Sequence, residues 1–309
     1  VAFACAALVV VLELGALGVD GGGGGRLAQR YFRAHGDNVT CVELNAAGTR
    51  GVSGEVGARP NVLVWDADSL RVLHAFGGGF YSAGLAVLFF SPDDALVVAV
   101  GMDTDHSLGV WRLASAPGEP ATRLGEEKGE TLDRAAVYGG CWMERKRPPR
   151  EPGEDDAAYE ARCGRSEDRD TFATVGYGKH VKFWELQQPD EALDEYQAES
   201  ANAVWDQDNN PVTDSWRAVY LGWPSRVLLT AGENGLVYAW FDKKCVASFR
   251  AHARGPCLGL ALARVDHPAE GEGDQSVEFA TGGADGQLKV WRARLPPAEL
   301  PEGEELAPG

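Results

Sequence analysis

The sequence predicts an all-β fold, a β-propeller, because one short pattern recurs along the chain. Five segments carry apolar residues that alternate along the chain and close on tryptophan, as half-buried strands require. Repeats of about 40 to 45 residues are typical of propellers, whose small four-stranded antiparallel sheets bury their faces against one another. The five segments are Asn61 to Trp65, Leu108 to Trp111, His180 to Trp184, Leu236 to Trp240 and Gln287 to Trp291.

The length of the chain allows one large all-β domain or two smaller ones, and the repeat favours one. The chain has 309 residues, 44% of them hydrophobic, which is enough for a large core. Its formal net charge of −17 argues against nucleic acid or an anionic membrane as a partner, because phosphate binding needs clustered Lys and Arg. The one short basic run, Arg145 to Arg150, is followed directly by acidic residues, which favours a solvated loop.

The first two blades can be divided into strands and turns. The tetrapeptide Ser91 to Asp94 in the second blade is a turn, since Ser, Pro and Asp favour turns. The first blade is predicted to contain four strands and three are visible in the second. They are Val39 to Leu44, Arg50 to Glu55, Asn61 to Asp66, Arg71 to Phe76, Gly84 to Phe90, Ala95 to Gly101 and Ser107 to Leu113.

Two long connections interrupt the later blades. Residues 143–170, rich in charge, proline and glycine, are predicted to be a disordered insertion, and residues 187–214 are a second inserted loop. The predicted strands around them are Arg134 to Cys141, Thr171 to Gly176, His180 to Glu185, Trp216 to Gly222, Arg226 to Ala231, Leu236 to Phe241, Val246 to Arg250, Cys257 to Ala263, Glu278 to Gly282 and Gln287 to Trp291.

The predicted propeller covers residues 1–294, and residues 295–309 form a disordered acidic tail. Val1 to Leu14 is predicted to form one or two buried strands, and Gly21 to Gly25 a flexible turn. An apolar start of this length is too short to cross a bilayer, which needs about 20 residues. Five blades and these strands make at most six blades. The ring is therefore incomplete or contains a degenerate blade that the sequence does not reveal.

The cysteines and the short motifs predict no catalysis and no cofactor or metal. The six cysteines lack CxxC spacing, which favours buried free thiols. Gly51 to Glu55 lacks the last glycine of a nucleophile elbow, and Gly178 to His180 lacks most of a phosphate-binding loop. Asp103, Asp105 and His106 fit a turn better than a metal site, because no second ligand cluster accompanies them.

The fifth blade resembles a WD repeat, whose histidine, hydroxyl residue, aspartate and tryptophan form a buried hydrogen-bond chain. The resemblance implies that His252, Thr281, Asp285 and Trp291 form this chain, as scaffold rather than binding or catalytic residues. His35 stands where the histidine of the first blade is expected. The fourth blade lacks a histidine, and its matching residues are Thr230, Asn234 and Trp240.

Residues 1–113 resemble the echinoderm microtubule-associated protein-like family more narrowly. The motifs, in order, are VVVLEL, QRYFRAHGDNVTCVEL, RPNVLVWDADSLRVL, GGGFYSAGLAVLFFS and HSLGVWRL, and TFATVGYGKHVKFWEL and FATGGADGQLKVW extend the likeness. The resemblance implies the end of that family's hydrophobic motif at residues 1–28, followed by its first WD-repeat propeller. It also implies a cytoplasmic, cytoskeletal or ciliary location, with tubulin or microtubules as partners.

Three functions remain open on the sequence. The first is a non-enzymatic scaffold that binds tubulin or other cytoskeletal proteins. The second is a general adaptor, for instance in a cilium, without tubulin contact. The third is a propeller enzyme with a site in the central channel. The sequence offers no converging cluster of acids or histidines in support of such a site. The partner, the face that binds it and the oligomeric state are not encoded in any motif.

Overall fold

A computed structural model describes residues 1–13, 28–127, 136–144, 170–187, 197–202, 214–222, 226–266 and 275–295. These residues form strands and turns without a helix, so none of them belongs to a helix that could cross a membrane. The all-β prediction is confirmed. The strands are β1 (Ala2–Cys5), β2 (Leu8–Glu13), β3 (Ala28–Phe32), β4 (Val39–Leu44), β5 (Arg50–Glu55), β6 (Val62–Asp66), β7 (Val72–Phe76), β8 (Leu85–Phe90), β9 (Leu96–Gly101), β10 (Leu108–Arg112), β11 (Thr122–Glu127), β12 (Val137–Glu144), β13 (Asp170–Gly176), β14 (Val181–Gln187), β15 (Gln197–Asn202), β16 (Ser215–Tyr220), β17 (Leu228–Gly232), β18 (Leu236–Phe241), β19 (Lys244–Arg250), β20 (Cys257–Asp266), β21 (Gln275–Gly283) and β22 (Leu288–Leu295).

The strands form six sheets in which neighbours in sequence are neighbours in space. In chain order the sheets are β1 to β3, β4 to β7, β8 to β11, β12 to β15, β16 to β19 and β20 to β22, called the first to the sixth sheet below. In each of the last five, the third strand carries the recurring tryptophan. The chain divides into two compact units, Val1–Val137 with Leu186–Glu199 and Tyr138–Glu185 with Ser200–Gly309.

Irregularities in strand pairing recur at equivalent places. The pairing between the third and fourth strands slips by one residue immediately before Trp65, Trp111 and Trp240. A second slip occurs near the start of the first strand in the second, third, fifth and sixth sheets. Such bulges increase local twist, and their repetition indicates that these sheets are copies of one structural unit.

The hydrophobic core lies between successive sheets within each unit. In the first unit, Val62 and Val64 of the second sheet pack against Leu85 and Phe90 of the third. Phe32 of the first sheet stacks on Trp65 of the second, with ring centroids 4.9 Å apart. In the second unit the same arrangement joins the fourth sheet to the fifth and the fifth to the sixth. Each sheet is therefore too thin to hold a core alone, as expected of propeller blades.

Several sequence predictions of strands need correction. β3 and β11 were not predicted, because the short AQRYF and TRLGEE segments lack a run of apolar residues. The predicted inserted loop at 187–214 is wrong for β15, which lies within it. β22 continues through Leu295, one residue into the predicted tail. β1 is half exposed rather than buried. The glycine run at 21–25, the basic run at 145–150 and tail residues 296–309 lie outside the described residues, as does most of the 143–170 insertion.

Candidate functional site

The structure brings together the four residues predicted in the fifth blade, which is the sixth sheet of the structure. His252 precedes β20, Thr281 lies on β21, Asp285 lies in the following turn and Trp291 lies on β22. His252 Nδ1 is 2.9 Å from Asp285 Oδ1, and its Nε2 is 3.0 Å from Thr281 Oγ1. The Trp291 indole N–H donates to the same hydroxyl at 2.8 Å. Because an indole can only donate, every polar atom is satisfied when Thr281 donates to Nε2 and His252 donates to the carboxylate.

The second sheet contains a similar chain that sequence reasoning found only in part. His35 Nε2 lies 2.6 Å from Ser53 Oγ, which accepts the Trp65 indole N–H at 3.1 Å. His35 Nδ1 lies 3.1 Å from a carboxylate oxygen of Glu55. The acid sits at the end of β5, whereas the WD pattern places an aspartate in the next turn, so the pattern did not identify it. Strand register was the signal that could have identified Ser53. Ser53 lies two residues after Gly51, the residue paired with Trp65, just as Thr281 lies two residues after Phe279, the residue paired with Trp291.

Burial and hydrogen bonding change the acid–base properties of this second chain. Burial lowers the pKa of His35 below its usual 6.5, and the neighbouring Glu55 opposes this only in part. Burial by itself raises the pKa of Glu55, but hydrogen bonds from Asn61, Gly36 and His35 outweigh it and hold that pKa below the usual value. The pair thus favours a neutral imidazole beside an ionised carboxylate.

Two further sheets satisfy the tryptophan in shorter ways. In the fourth sheet, Trp184 donates to Thr174 Oγ1 at 2.9 Å, and His180 approaches that hydroxyl at 3.0 Å from the turn before β14. In the fifth sheet, Trp240 donates to Thr230 Oγ1 at 3.0 Å. The predicted third member, Asn234, instead donates to the Tyr238 hydroxyl at 2.7 Å. Thr230 and Trp240 are therefore brought together, and Asn234 is bonded elsewhere.

The third sheet replaces the histidine and the hydroxyl residue with one tyrosine. Trp111 donates to the Tyr81 hydroxyl at 3.1 Å, and that hydroxyl donates to the carbonyl of Ala99 at 3.1 Å. Ala99 occupies the register position of Ser53, since it follows the partner of Trp111 by two residues. Asp103 accepts from Ser107 through Oδ1, but its buried Oδ2 has no partner among the described residues. Burial raises the pKa of Tyr81 far above its usual range.

The Ser53, His35 and Glu55 contacts resemble the order of a serine hydrolase triad, but their location prevents such chemistry. A nucleophile must reach a substrate carbonyl, and its hydroxyl must stand beside an oxyanion-binding site. Ser53 and the His35 side chain are inaccessible to solvent, and Trp65 already donates to the hydroxyl. This hydrogen-bond chain can therefore hold the second sheet together, but its buried hydroxyl cannot bind a substrate.

Metal and thiol chemistry is equally limited among the described residues. They contain no group of three or more His, Cys, Asp or Glu side chains arranged to hold a metal ion, and Asp103 is bound within its own turn. The cysteines that the structure describes are free thiols. Burial raises the pKa of Cys41 to about 12 and that of Cys257 to about 11, which makes both unreactive near neutral pH. Cys5 is exposed, contrary to the prediction of burial.

The exposed apolar part of the sixth sheet is the clearest candidate for protein binding. Leu288 and Val290 of β22 are 77% and 67% exposed, whereas Val62 and Val64, their counterparts in the second sheet, are fully buried by the sheet that follows. β22 also forms an edge strand of its sheet among the described residues. Two exposed apolar side chains on one face of an edge strand offer a surface against which another protein can pack.

Comparison with known proteins identifies one repeat near the end of the described residues. The family model described as "WD domain, G-beta repeat" matches residues 243–292, which include the sixth-sheet hydrogen-bond chain. Residues 243–292 thus match a WD repeat, and the antiparallel sheets of the described residues have the architecture of β-propeller blades. The Cps50 (Swd1) β-propeller domain of Myceliophteria_thermophila superposes with a TM-score of 0.49 and 16% identity, over 83% of this chain and 72% of that domain.

Two groups of curated relatives match over part of the chain. Human cilia- and flagella-associated protein 52 is 29% identical over 102 residues, which is 31% of this chain and 16% of that protein. Human echinoderm microtubule-associated protein-like 3 is 35% identical over 93 residues, 27% of this chain and 10% of that protein. The matches span less than a fifth of these relatives. The chain is therefore distantly homologous to both groups, and the likeness is not specific to the microtubule-associated family.

Proposed function

We propose that this chain is a non-enzymatic scaffold that binds tubulin or another cytoskeletal protein through exposed surfaces of its sheets. The observation that carries the proposal is the exposed apolar pair Leu288 and Val290. Support comes also from the described histidine chains, which hold their hydroxyl groups inside the sheets. The names of two relatives, one cilia- and flagella-associated and one microtubule-associated, support this choice of partner class.

Co-elution with soluble tubulin at low salt tests this function. We expect the wild-type chain to co-elute, and the double variant Leu288→Ser with Val290→Ser to lose at least half of the bound tubulin, because it removes apolar contact area. Val246→Ser is the matched control, since Val246 is an exposed apolar residue on another strand of the same unit. Absence of co-elution would rule out tubulin as the partner.

A ciliary adaptor without tubulin contact is a second candidate, favoured by the match to a cilia- and flagella-associated protein. Proximity labelling in ciliated cells distinguishes the two candidates. Labelled partners that include tubulin support the first, whereas a set of ciliary proteins without tubulin supports the second. In both cases we expect the Leu288→Ser and Val290→Ser double variant to label fewer partners than the Val246→Ser control.

A further inference from the structure

A groove in the first unit has the features of a peptide-binding site. It lies between β7 and β11, has a volume of about 630 Å³, and is lined in part by Phe76, Phe80 and Trp111. The Phe76 and Trp111 ring centroids are 4.9 Å apart, and the Phe80 and Trp111 centroids are 5.9 Å apart. Phe76 and Trp111 are buried and fix the position of the partly exposed Phe80, which is the ring of this aromatic floor that a ligand can contact.

One wall of the groove is polypeptide backbone. Gly77, Gly78 and Gly79 line it, and Gly77 and Gly79 have φ angles of 90° and 98°, which L residues rarely adopt. Gly78 and Gly79 are exposed, and they carry no side chain over the cavity. An extended segment can therefore approach this wall closely, main chain to main chain.

A guanidinium group stands over the aromatic floor. The Arg123 guanidinium carbon lies 4.6 Å from the Phe80 ring centroid and 5.9 Å from that of Trp111, so cation–π contacts hold it in place. Glu126 contacts Arg123 Nη2 at 2.8 Å, which shows that a carboxylate fits at this position. A guanidinium has five N–H donors, and one carboxylate oxygen does not saturate them.

A second guanidinium lies beside the glycine wall. A Cβ atom placed on Gly79 would be 3.7 Å from Nη2 of the exposed Arg59. The groove thus has one arginine in its lining and a second beside its glycine wall, in a chain with a formal net charge of −17. Their fork-like donors match carboxylates in geometry as well as in charge. The groove is thus locally complementary to acidic side chains, while the chain as a whole is not.

We propose that this groove binds an extended acidic peptide segment of a partner protein. One carboxylate of the segment takes the place of Glu126 at Arg123, a second reaches Arg59, and an apolar side chain between them lies on Phe80. Glu126 then acts as an internal competitor for the ligand. This proposal rests on the groove geometry and does not depend on the surface formed by Leu288 and Val290.

Fluorescence anisotropy at low salt tests the proposal with a fluorescein-labelled five-residue peptide, glutamate at four positions and leucine at the centre. We expect Arg123→Gln to weaken binding about fivefold or more, as the loss of a partly exposed ion pair does. Glu126→Gln should tighten binding about two- to threefold, because it removes the competitor. Arg71→Gln, the matched control, removes an exposed arginine that does not line the groove and should leave affinity unchanged.

Three results would overturn the proposal. The first is the lack of saturable binding by the glutamate peptide, and the second is equal binding of a peptide with lysine in place of glutamate. The third is an equal loss in Arg71→Gln and Arg123→Gln, which indicates attraction by overall charge. Circular dichroism checks that the variants fold. If Arg123→Gln does not fold, tighter binding by Glu126→Gln supports the site, and unchanged or weaker binding contradicts it.

Discussion

The second and third sheets bury the same tryptophan with different polar groups. In the second sheet, Trp65 donates to Ser53, which is bonded to His35. In the third sheet, Trp111 donates directly to Tyr81, which stands 18 residues before Ala99, as His35 stands 18 residues before Ser53. One long side chain therefore spans the distance covered by two shorter ones. Both sheets thus place an acceptor oxygen 3.1 Å from the indole nitrogen, and residues of different types supply it.

The acids of these two sheets differ in a related way. Glu55 contacts His35 and accepts four further hydrogen bonds, from the backbone N–H groups of Gly36, Asp37 and Asn61 and from the Asn61 side-chain amide. Asp103 has no imidazole partner, because tyrosine occupies the place of the histidine. Its Oδ2 approaches the position that a Cβ would fill at Gly101. The substitution of tyrosine for histidine thus leaves an acid with one unsatisfied buried oxygen, which is energetically unfavourable.

The largest expected effect comes from truncating the shared residue. We expect Trp65→Ala and Trp111→Ala each to lower the free energy of unfolding by about 3 to 5 kcal/mol, because both remove a large buried aromatic side chain. Trp291 is only half-buried, so Trp291→Ala should cost less. Urea unfolding followed by circular dichroism measures these values. A loss below about 1 kcal/mol for Trp65→Ala contradicts its place in the core.

Removing the acceptor oxygens should separate the two sheets. Ser53→Ala leaves both the Trp65 N–H and His35 Nε2 without their partner, and we expect it to cost about 2 to 3 kcal/mol. Tyr81→Phe leaves the Trp111 N–H without its acceptor and the Ala99 carbonyl without this donor. Because a carbonyl that loses a donor is tolerated better than an unpaired N–H, we expect a cost of about 1 to 2 kcal/mol. Denaturant unfolding of both variants provides the comparison. If Ser53→Ala cost no more than Tyr81→Phe, the Ser53 hydroxyl would contribute no more to stability than the Tyr81 hydroxyl, which contradicts this prediction.

The two acids should respond differently to neutralisation. Glu55→Gln places an amide where N–H donors converge, and we expect a loss of about 1 to 3 kcal/mol. Asp103→Asn keeps an acceptor for Ser107 and replaces one unpaired polar atom, Oδ2, by another, the amide nitrogen, so its cost should stay below about 1 kcal/mol. Thermal unfolding of both variants at pH 7 tests this order. A larger loss for Asp103→Asn contradicts the absence of a partner for Oδ2.

The smallest expected effect is a dependence on pH that belongs to the second sheet. The pKa of His35 is lowered in the folded state, so the unfolded state binds more protons as pH falls below about 6.5. The lowered pKa of Glu55 adds to the loss below about pH 4.5. Stability should therefore be full above pH 7 and decline on acidification. His35→Gln should flatten the decline between pH 7 and 5, and an unchanged slope in urea titrations would assign the decline to other groups.

The sequence alone predicted the strands that carry a tryptophan well, because their alternating pattern ends at a large aromatic residue. It also placed Thr281 and Asp285 by resemblance to a repeat. It did not reveal Ser53 with Glu55, or Tyr81, because the repeat pattern describes residue types whereas the structure selects atoms that reach one point. Edge strands such as β11 and β15 were missed for a similar reason. They lie at the outside of their sheets, where few apolar residues are needed.

Hydrogen exchange of the indole N–H groups, followed by NMR, tests the central claim most directly. The account predicts slow exchange for Trp65 and Trp111 in the wild-type chain, since each N–H is buried and bonded. Ser53→Ala should accelerate exchange at Trp65 but not at Trp111, and Tyr81→Phe should do the reverse. Rapid exchange of either indole in the wild type, or acceleration of both by one variant, would contradict a separate buried acceptor in each sheet.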